Sequence, residues 1–197
     1  MLTLYGTTLT RTFRVMWMLE ELGLPYEHVK AGPQSEKVRA VSPLGKVPVL
    51  VDDGAVIPDS TAIMTYLADK HGQCTFAAGT PRRGQQDALT FRILDEIDAV
   101  LWTSARHSFV LPEDQRVPAI KESLKGEFAR NIARLTDEIE GPYLMGETFT
   151  VPDILLCHCA QWSRSAKFPE APPALADYLS TVRARPAFQR AAALREA

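Results

Sequence analysis

Residues 43–72, PLGKVPVLVDDGAVIPDSTAIMTYLADKHG, decide how this chain folds. The apolar run 47–51 reads as a short strand. Pro48 has no N–H to give to a ladder, which confines it to the strand's start, an edge or a bulge. Asp52-Asp53-Gly54 then reverses the chain, because Asp-Gly between apolar runs is a hairpin signal. A second strand over 55–57 ends at Pro58. Asp59 and Ser60 are both good N-caps, and Ile63, Met64, Tyr66 and Leu67 recur behind them at helical spacing. The stretch therefore reads as strand, hairpin, strand and capped helix, with the helix N-terminus aimed at whatever lies beside Pro48.

Such an arrangement suits a small peptide-like ligand. A cis Val47–Pro48 bond is within reach for an X–Pro pair. It would turn the N–H and C=O of Val47 out of the sheet, toward a ligand's own backbone. The helix start offers unpaired N–H groups to a carboxylate, and the Asp59 carboxylate can take an ammonium. Val47-Pro48 followed by Asp59-Ser60 at a helix start resembles the glutathione-binding motif in the thioredoxin-like domain of glutathione S-transferases. In that family the pair is most often Glu-Ser, so Asp59 is one methylene shorter. Capping and ligand binding by Asp59 and Ser60 are compatible. The resemblance implies that Lys46, Val47, Pro48, Asp59 and Ser60 hold glutathione, with Lys46 meeting its glycyl carboxylate.

Bulk properties narrow the class. A chain of 197 residues is ample for a substantial core. It is 46% hydrophobic and 23% charged, an ordinary soluble composition. Lys+Arg 22 against Asp+Glu 24 leaves a net charge of −2, which points neither to nucleic acid nor to an anionic membrane. No apolar run approaches the ~18 residues of a membrane span, and the N-terminus reads as a strand rather than a signal peptide. Cys74, Cys157 and Cys159 form an odd set without disulfide spacing, so a cytoplasmic location is expected.

From its start the chain alternates weakly over 1–5, turns through Gly6-Thr7-Thr8-Leu9-Thr10, and becomes helical over 11–22, with Phe13, Met16, Trp17 and Leu19 on the buried side. Gly23 sits where a left-handed C′ residue ends a helix, and Pro25 prevents continuation. Residues 26–29 form a second strand, making a parallel strand–helix–strand unit with a right-handed crossover. Residues 34–40 make at most a short helix. The order βαβαββα matches the thioredoxin-like domain, and the resemblance adds four mixed strands with helices on both faces.

Ligands in open α/β sheets gather at the carboxyl ends of strands, which draws attention to the loop before the first helix. Thr10 stands at that helix's expected N-cap. GTTLTRTFRVMWMLEELGLPYE is similar to bacterial and theta- or phi-like transferases, in which the position of Thr10 carries the activating serine, or cysteine in the beta class. Threonine keeps the hydroxyl, although its methyl restricts χ1 and crowds a sulfur. Tyr5 is the competitor, because a tyrosine at the end of the first strand is the thiolate's donor in the alpha, mu and pi classes. As a strand-end aromatic it can equally be packing. Thr7 and Thr8 are weaker candidates.

Residues 72–84 (GQCTFAAGTPRRG) are rich in turn formers, and 75–84 reads as a linker between a domain over 1–74 and a helical domain over 85–197. Leu89, Ile93, Ile97, Val100 and Leu101 mark one long helix. Ile120, Leu124, Phe128, Ile132, Leu135 and Ile139 mark another, stopped by Gly141-Pro142. Further helices are expected near 152–166, 174–183 and 187–194. Thr150-Val151-Pro152-Asp153 has the form of a capping box and resembles that of the transferase C-terminal domain, where its role is folding. Cys157-His158-Cys159 diverge on a helix, so no metal site is expected. The fold class is thus α/β plus all-α. The resemblance implies a homodimer in which the α/β domain of one chain packs on the helical domain of the other. It also implies a small hydrophobic electrophile contacted by Trp102, Arg106, Phe109 and Trp162. Glutathione would be a co-substrate, with no cofactor. A noncatalytic interaction protein of the same architecture is the alternative function. A glutathione-dependent isomerase or reductase is a third, against which the lack of a cysteine near Thr10 counts.

Overall fold

The computed structural model describes residues 1–195, which divide into two units, 1–80 with 183–195, and 81–182. The first unit opens with β1 (Leu2–Gly6), α1 (Thr12–Leu22), β2 (Tyr26–Lys30) and α2 (Glu36–Val41). It continues with β3 (Val49–Asp52), β4 (Ala55–Pro58) and α3 (Ser60–His71). The four strands lie in the order β2-β1-β3-β4. β1 runs parallel to β2 and antiparallel to β3, and β3 pairs antiparallel with β4. This is the mixed sheet and the βαβαββα order expected from the sequence.

The registers assign the faces. Tyr5 lies opposite Val49 and Leu4 opposite Leu50, so the two pairs point to opposite sides of the sheet. Val49 packs with Val38 and Ala31, joined by Tyr5, Val41 and Val47, which places α2 on the Tyr5 side. Leu4 and Leu50 are fully buried on the other side, and within this unit that face falls to α1 and α3, which pack on each other. β3 lies between two strands, and the ladder begins at Val49. The expected strand over 47–51 is therefore shifted: Val47 and Pro48 lead into it, because Pro48 could not serve an interior strand.

Two details of α1 depart from the sequence expectation. Its N-cap is Arg11, not Thr10, because Thr10 turns its side chain back onto the loop and its hydroxyl oxygen accepts the Thr12 N–H. The helix also buries every residue from Thr12 to Leu19 rather than one stripe. The reason lies at the far end of the chain. There α9 (Pro186–Ala193) lays Phe188 edge-on against Phe13 and Trp17, with ring centroids 5.9 and 4.9 Å away. Arg185 grips Glu21 with both arms, at 2.8 and 2.7 Å, while Glu21 also accepts from Trp17 Nε1 at 2.9 Å. Tyr26 nearby is pushed up to about 12 by burial and by Glu20.

In the second unit α4 begins at Pro81, inside the segment read as linker. A proline at the first helical position costs nothing, since that N–H would be unpaired anyway. α4 (Pro81–Ile93) runs through a π-helical segment, Leu94–Asp98, into α5 (Ala99–Ala105) and a second such segment, Arg106–Val110. Asn131 Nδ2 donates to the Glu96 carbonyl at 3.0 Å, holding the widened turn. α6 (Ile120–Asp137), α7 (Val151–Ser165) and α8 (Pro173–Arg183) follow. At the start of α7 the capping box forms as the sequence indicates. Fully buried Asp153 accepts from Thr150 N, Leu144 N and Tyr178 OH, each at 2.8 Å. Burial nonetheless pushes its carboxyl up. No helix among the described residues is long and apolar enough to cross a membrane.

Asp52 at the end of β3 ties the sheet to α3. Lys70 Nζ and Tyr66 OH both donate to its Oδ2, the latter at 2.7 Å. These bonds, Lys70's first, hold the Asp52 carboxyl below the usual carboxylate range. A carboxyl lowered in the folded state adds stability that is complete above its unfolded value near ~4 and vanishes as pH falls through the folded value. Lys70→Met should therefore be less stable than the parent at about pH 7, and the gap should be narrower at about pH 3, below the unfolded carboxyl value. Urea midpoints at the two pH values check this, and a gap independent of pH would contradict it.

Candidate functional site

The site is built where α3 starts. Asp59 is its N-cap: Oδ1 accepts from Thr61 N at 2.8 Å and from Ala62 N at 3.0 Å. Its backbone carbonyl takes Ile63 N at 2.9 Å. Asp59 holds φ 73 and ψ 128, outside the regions that residues with a Cβ normally occupy. Such outliers persist only where the surroundings impose them, and they cluster at ligand sites. The carboxylate is exposed, and among the described residues nothing donates to Oδ2. The sequence led us to expect several open N–H groups here. Asp59 itself takes two of them, and the Ser60 N–H is left without a partner among the described residues.

Ser60 is not a cap but the first residue of α3, with only 1% of its surface exposed. Its Oγ lies 3.5 Å from Nη1 of Arg14, a fully buried arginine on α1. At the start of α3 Asp59 is thus at the surface and Ser60 beneath it. The Val47–Pro48 peptide is cis, with Pro48 buried and Val47 half-buried against the cluster of Ala31, Val38 and Val49. Lys46 is exposed. The loop leading to it is braced by Gln34, whose N–H donates to the Gly45 carbonyl at 2.7 Å and whose Nε2 donates to the Leu44 carbonyl at 3.0 Å. Arg39 fixes the other end of that amide at 2.7 Å. Gly45, at φ 62, makes room for it, since a Cβ there would stand 2.7 Å from Gln34 Oε1.

Thr10 and Tyr5 occupy different settings. The Thr10 hydroxyl is half-buried and donates to the Thr7 carbonyl at 2.8 Å, with Thr12 Oγ1 also 2.8 Å away. Tyr5 is half-buried against the cluster of Ala31, Val38 and Val49, and no hydrogen bond engages its phenol among the described residues. Lys46, Val47, Pro48, Asp59, Ser60, Thr10 and Tyr5 all belong to the first unit. Trp102, Arg106, Phe109 and Trp162 belong to the second. There Arg106 Nη2 donates to Thr103 Oγ1 at 3.1 Å, Trp162 stacks edge-on with His158, and Phe109 is 70% exposed. Among the described residues no group of three or more His, Cys, Asp or Glu could hold a metal. Sequence reasoning missed Thr12, Arg14 and Gln34. The only available signal was four threonines within 7–12 directly after Gly6, a spacing that helical periodicity does not score.

A family model for the glutathione S-transferase N-terminal domain matches residues 4–75, and one for the glutathione S-transferase C-terminal domain matches residues 97–186. Among curated proteins the chain is similar to glutathione S-transferase 3 of Schizosaccharomyces pombe, 28% identical over 198 residues that cover 91% of this chain and 77% of that protein. It is also similar to a glutathione S-transferase of Pseudomonas putida, 28% identical over 164 residues, covering 80% of this chain and 72% of that one. Among solved structures it resembles the theta class glutathione S-transferase of Xanthomonas axonopodis pv. citri with glutathione bound, at 26% identity and a TM-score of 0.78 over 96% of each chain.

The Asp59 cap can be tested without any ligand. Asp59→Ala should cost about 1 kcal/mol of unfolding free energy, while Asp59→Asn, which keeps an accepting side-chain oxygen, should cost less than half of that. Chemical denaturation of the three proteins decides, and equal losses for Ala and Asn would mean that the Oδ1 bonds carry no stability.

Proposed function

Because the chain belongs to the glutathione S-transferase family, we propose that it binds glutathione at the start of α3 and activates it as a thiolate for attack on a small hydrophobic electrophile. The observation that carries this reading is the division of labour in Asp59. One oxygen of the exposed carboxylate is spent on capping, and among the described residues nothing donates to the other and the adjacent Ser60 N–H has no partner. An α-amino acid group supplies the complement, an ammonium for Oδ2 and a carboxylate for the N–H and the helix end. The exposed Lys46 serves the tripeptide's other carboxylate, and Val47 its backbone.

Activation requires little machinery. A thiol of pKa ~8.5 is about 3% ionised at pH 7, and lowering it by two units takes roughly 2.7 kcal/mol. One hydrogen bond to a charged acceptor contributes ~1.5–3 kcal/mol, and a helix N-terminus a further ~0.3–1 kcal/mol. Thr10 stands just before α1 and offers both. Its hydroxyl proton now points at the Thr7 carbonyl and swings to the sulfur when the thiolate arrives. Tyr5 is assigned to packing. The second substrate's contacts are assigned to Trp102, Arg106, Phe109 and Trp162 of the helical unit, and the protein's place to the cytoplasm.

Two measurements test the assignment. The ultraviolet absorbance of bound thiolate against pH should shift upward by about one to two units in Thr10→Ala. It should stay at the parent's position in Tyr5→Phe and Thr10→Ser. Calorimetry of glutathione binding should show Asp59→Asn, which keeps the cap, weakened about tenfold or more. Unchanged affinity there would remove Asp59 from the site. No thiolate in the parent, with glutathione still bound, would favour the noncatalytic interaction protein instead.

The assembly proposed is a homodimer. Phe91 on α4 is 65% exposed and Val56 on the edge strand β4 is 45% exposed, apolar surface of the kind an interface covers. Sedimentation at micromolar concentration should give a dimer that Phe91→Ser weakens, and a parent that sediments as a monomer would refute it.

A further inference from the structure

Thr10 can help the sulfur only if it donates rather than accepts, and its neighbours determine which it does. A hydroxyl has one proton and two lone pairs. The Thr7 carbonyl, 2.8 Å from Thr10 Oγ1, can only accept, so the Thr10 proton lies there. The proton in the 2.8 Å contact between Thr10 Oγ1 and Thr12 Oγ1 must then come from Thr12. The Thr12 backbone N–H reaches the same Thr10 oxygen at 3.2 Å. Both lone pairs of Thr10 are thus filled by one residue.

We infer that Thr12 is a positioning residue that makes the Thr10 hydroxyl an obligate donor to the glutathione sulfur, an inference that rests on the proposed function. With its lone pairs occupied, Thr10 has nothing to offer a protonated thiol, whose S–H needs an acceptor. It has a proton for a thiolate, which needs a donor. The thiol's proton leaves to bulk water, and no covalent step is involved. The geometry supports the swing. When the Thr10 proton leaves the Thr7 carbonyl, that oxygen still accepts the Thr10 N–H at 3.1 Å, so no buried acceptor is orphaned. Chains of hydrogen bonds polarise one another, so a Thr12 proton on Thr10 Oγ1 also strengthens Thr10 as a donor.

Thr12 is held to this role by the backbone beneath it. It is fully buried, and Gly6 at the end of β1 is vacant where a side chain would displace it. A Cβ on Gly6, whose φ is 148, would stand 2.0 Å from Thr12 Oγ1 and 2.9 Å from its Cβ and Cγ2. The absence of a side chain at Gly6 is what lets the Thr12 hydroxyl turn toward Thr10.

The experiment is the pH titration of bound-thiolate absorbance in the parent, Thr12→Val, Thr12→Ser, Thr10→Ala and the double variant Thr10→Ala/Thr12→Val. Binding of S-methylglutathione, which has no ionisable thiol, is measured alongside. Thr12→Val, nearly isosteric, should raise the bound thiol's pKa by about half a unit. Thr12→Ser should keep the parent's curve, and adding Thr12→Val to Thr10→Ala should shift nothing further. S-methylglutathione affinity should change less than about twofold throughout. The inference is overturned if Thr12→Val leaves the curve in place, if its shift persists without the Thr10 hydroxyl, or if Ser shifts it as far as Val. A fall in S-methylglutathione affinity that parallels the shift would also overturn it, because Thr12 would then be merely structural. A parent that ionises bound glutathione no more readily than free thiol removes the proposed function itself, and this inference with it. A Thr12 effect missing from a parent that does form thiolate removes the inference alone.

Discussion

The geometry of the first unit's site hangs on one carboxylate oxygen. By accepting from Thr61 N and Ala62 N, Asp59 Oδ1 fixes where β4 ends and α3 begins. It also sustains a backbone conformation, φ 73, that a non-glycine residue does not adopt unaided. The chain leaves an edge strand at Pro58 and must turn sharply to lay α3 against α1. The two N–H bonds make that turn worth its conformational cost. The same geometry leaves Oδ2 in solvent and Ser60 N–H open. The cap uses one oxygen of the side chain, so the proposed binding role, which would use the other, does not compete with it. Behind the site, Asp52 anchors the far end of α3 through Tyr66 and Lys70, so the helix is held at both ends.

Much of this was legible because it is local. The hairpin at Asp52-Asp53-Gly54, the cap at Asp59 and the capping box at Asp153 are each settled by residues within four positions of one another. The helix–strand order follows from periodicity in the same way. What escaped was set at long range. Eight consecutive buried residues on α1 cannot be derived from α1's own sequence, because the partner that covers Trp17 is Phe188. The bidentate bond from Arg185 to Glu21 spans 164 positions. Nothing in the sequence of α9 announces that it packs in the first unit. The long helix of the second unit was likewise legible as a helix. Its first π-helical segment was not, because Asn131, a residue on another helix, occupies the Glu96 carbonyl.

The site divides along the same line. Val47-Pro48 and Asp59-Ser60 stand out as pairs of adjacent residues with a chemical meaning. Arg14 beneath Ser60 does not: in sequence it is an arginine on an amphipathic helix, expected to face water, and only the packing of α1 on α3 buries it. Gln34 is similar. Its left-handed backbone at φ 65 and its two bonds to the chain at 44–45 hold the approach to Lys46, yet glutamine is no turn signal. Thr10 was found, as a helix cap and, through the resemblance, as the activating hydroxyl. Rather than capping α1, its hydroxyl serves as a bridge between the Thr7 carbonyl and Thr12.

That bridge bears on why a threonine can stand where a serine would be less crowded. A serine hydroxyl at position 10 could sample three rotamers, and each would present the sulfur with a different mixture of donor and acceptor. The β-branch of Thr10 removes part of that freedom, and Thr7 and Thr12 remove most of the rest by filling its proton and both lone pairs. Under the proposed role the donor would reorganise by one hydroxyl rotation only, which approaches the general advantage of preorganised electrostatics. The methyl group, which would crowd a sulfur at the proposed site, therefore has an offsetting effect in this loop. It helps hold the Thr10 hydroxyl where it meets the Thr7 carbonyl and Thr12.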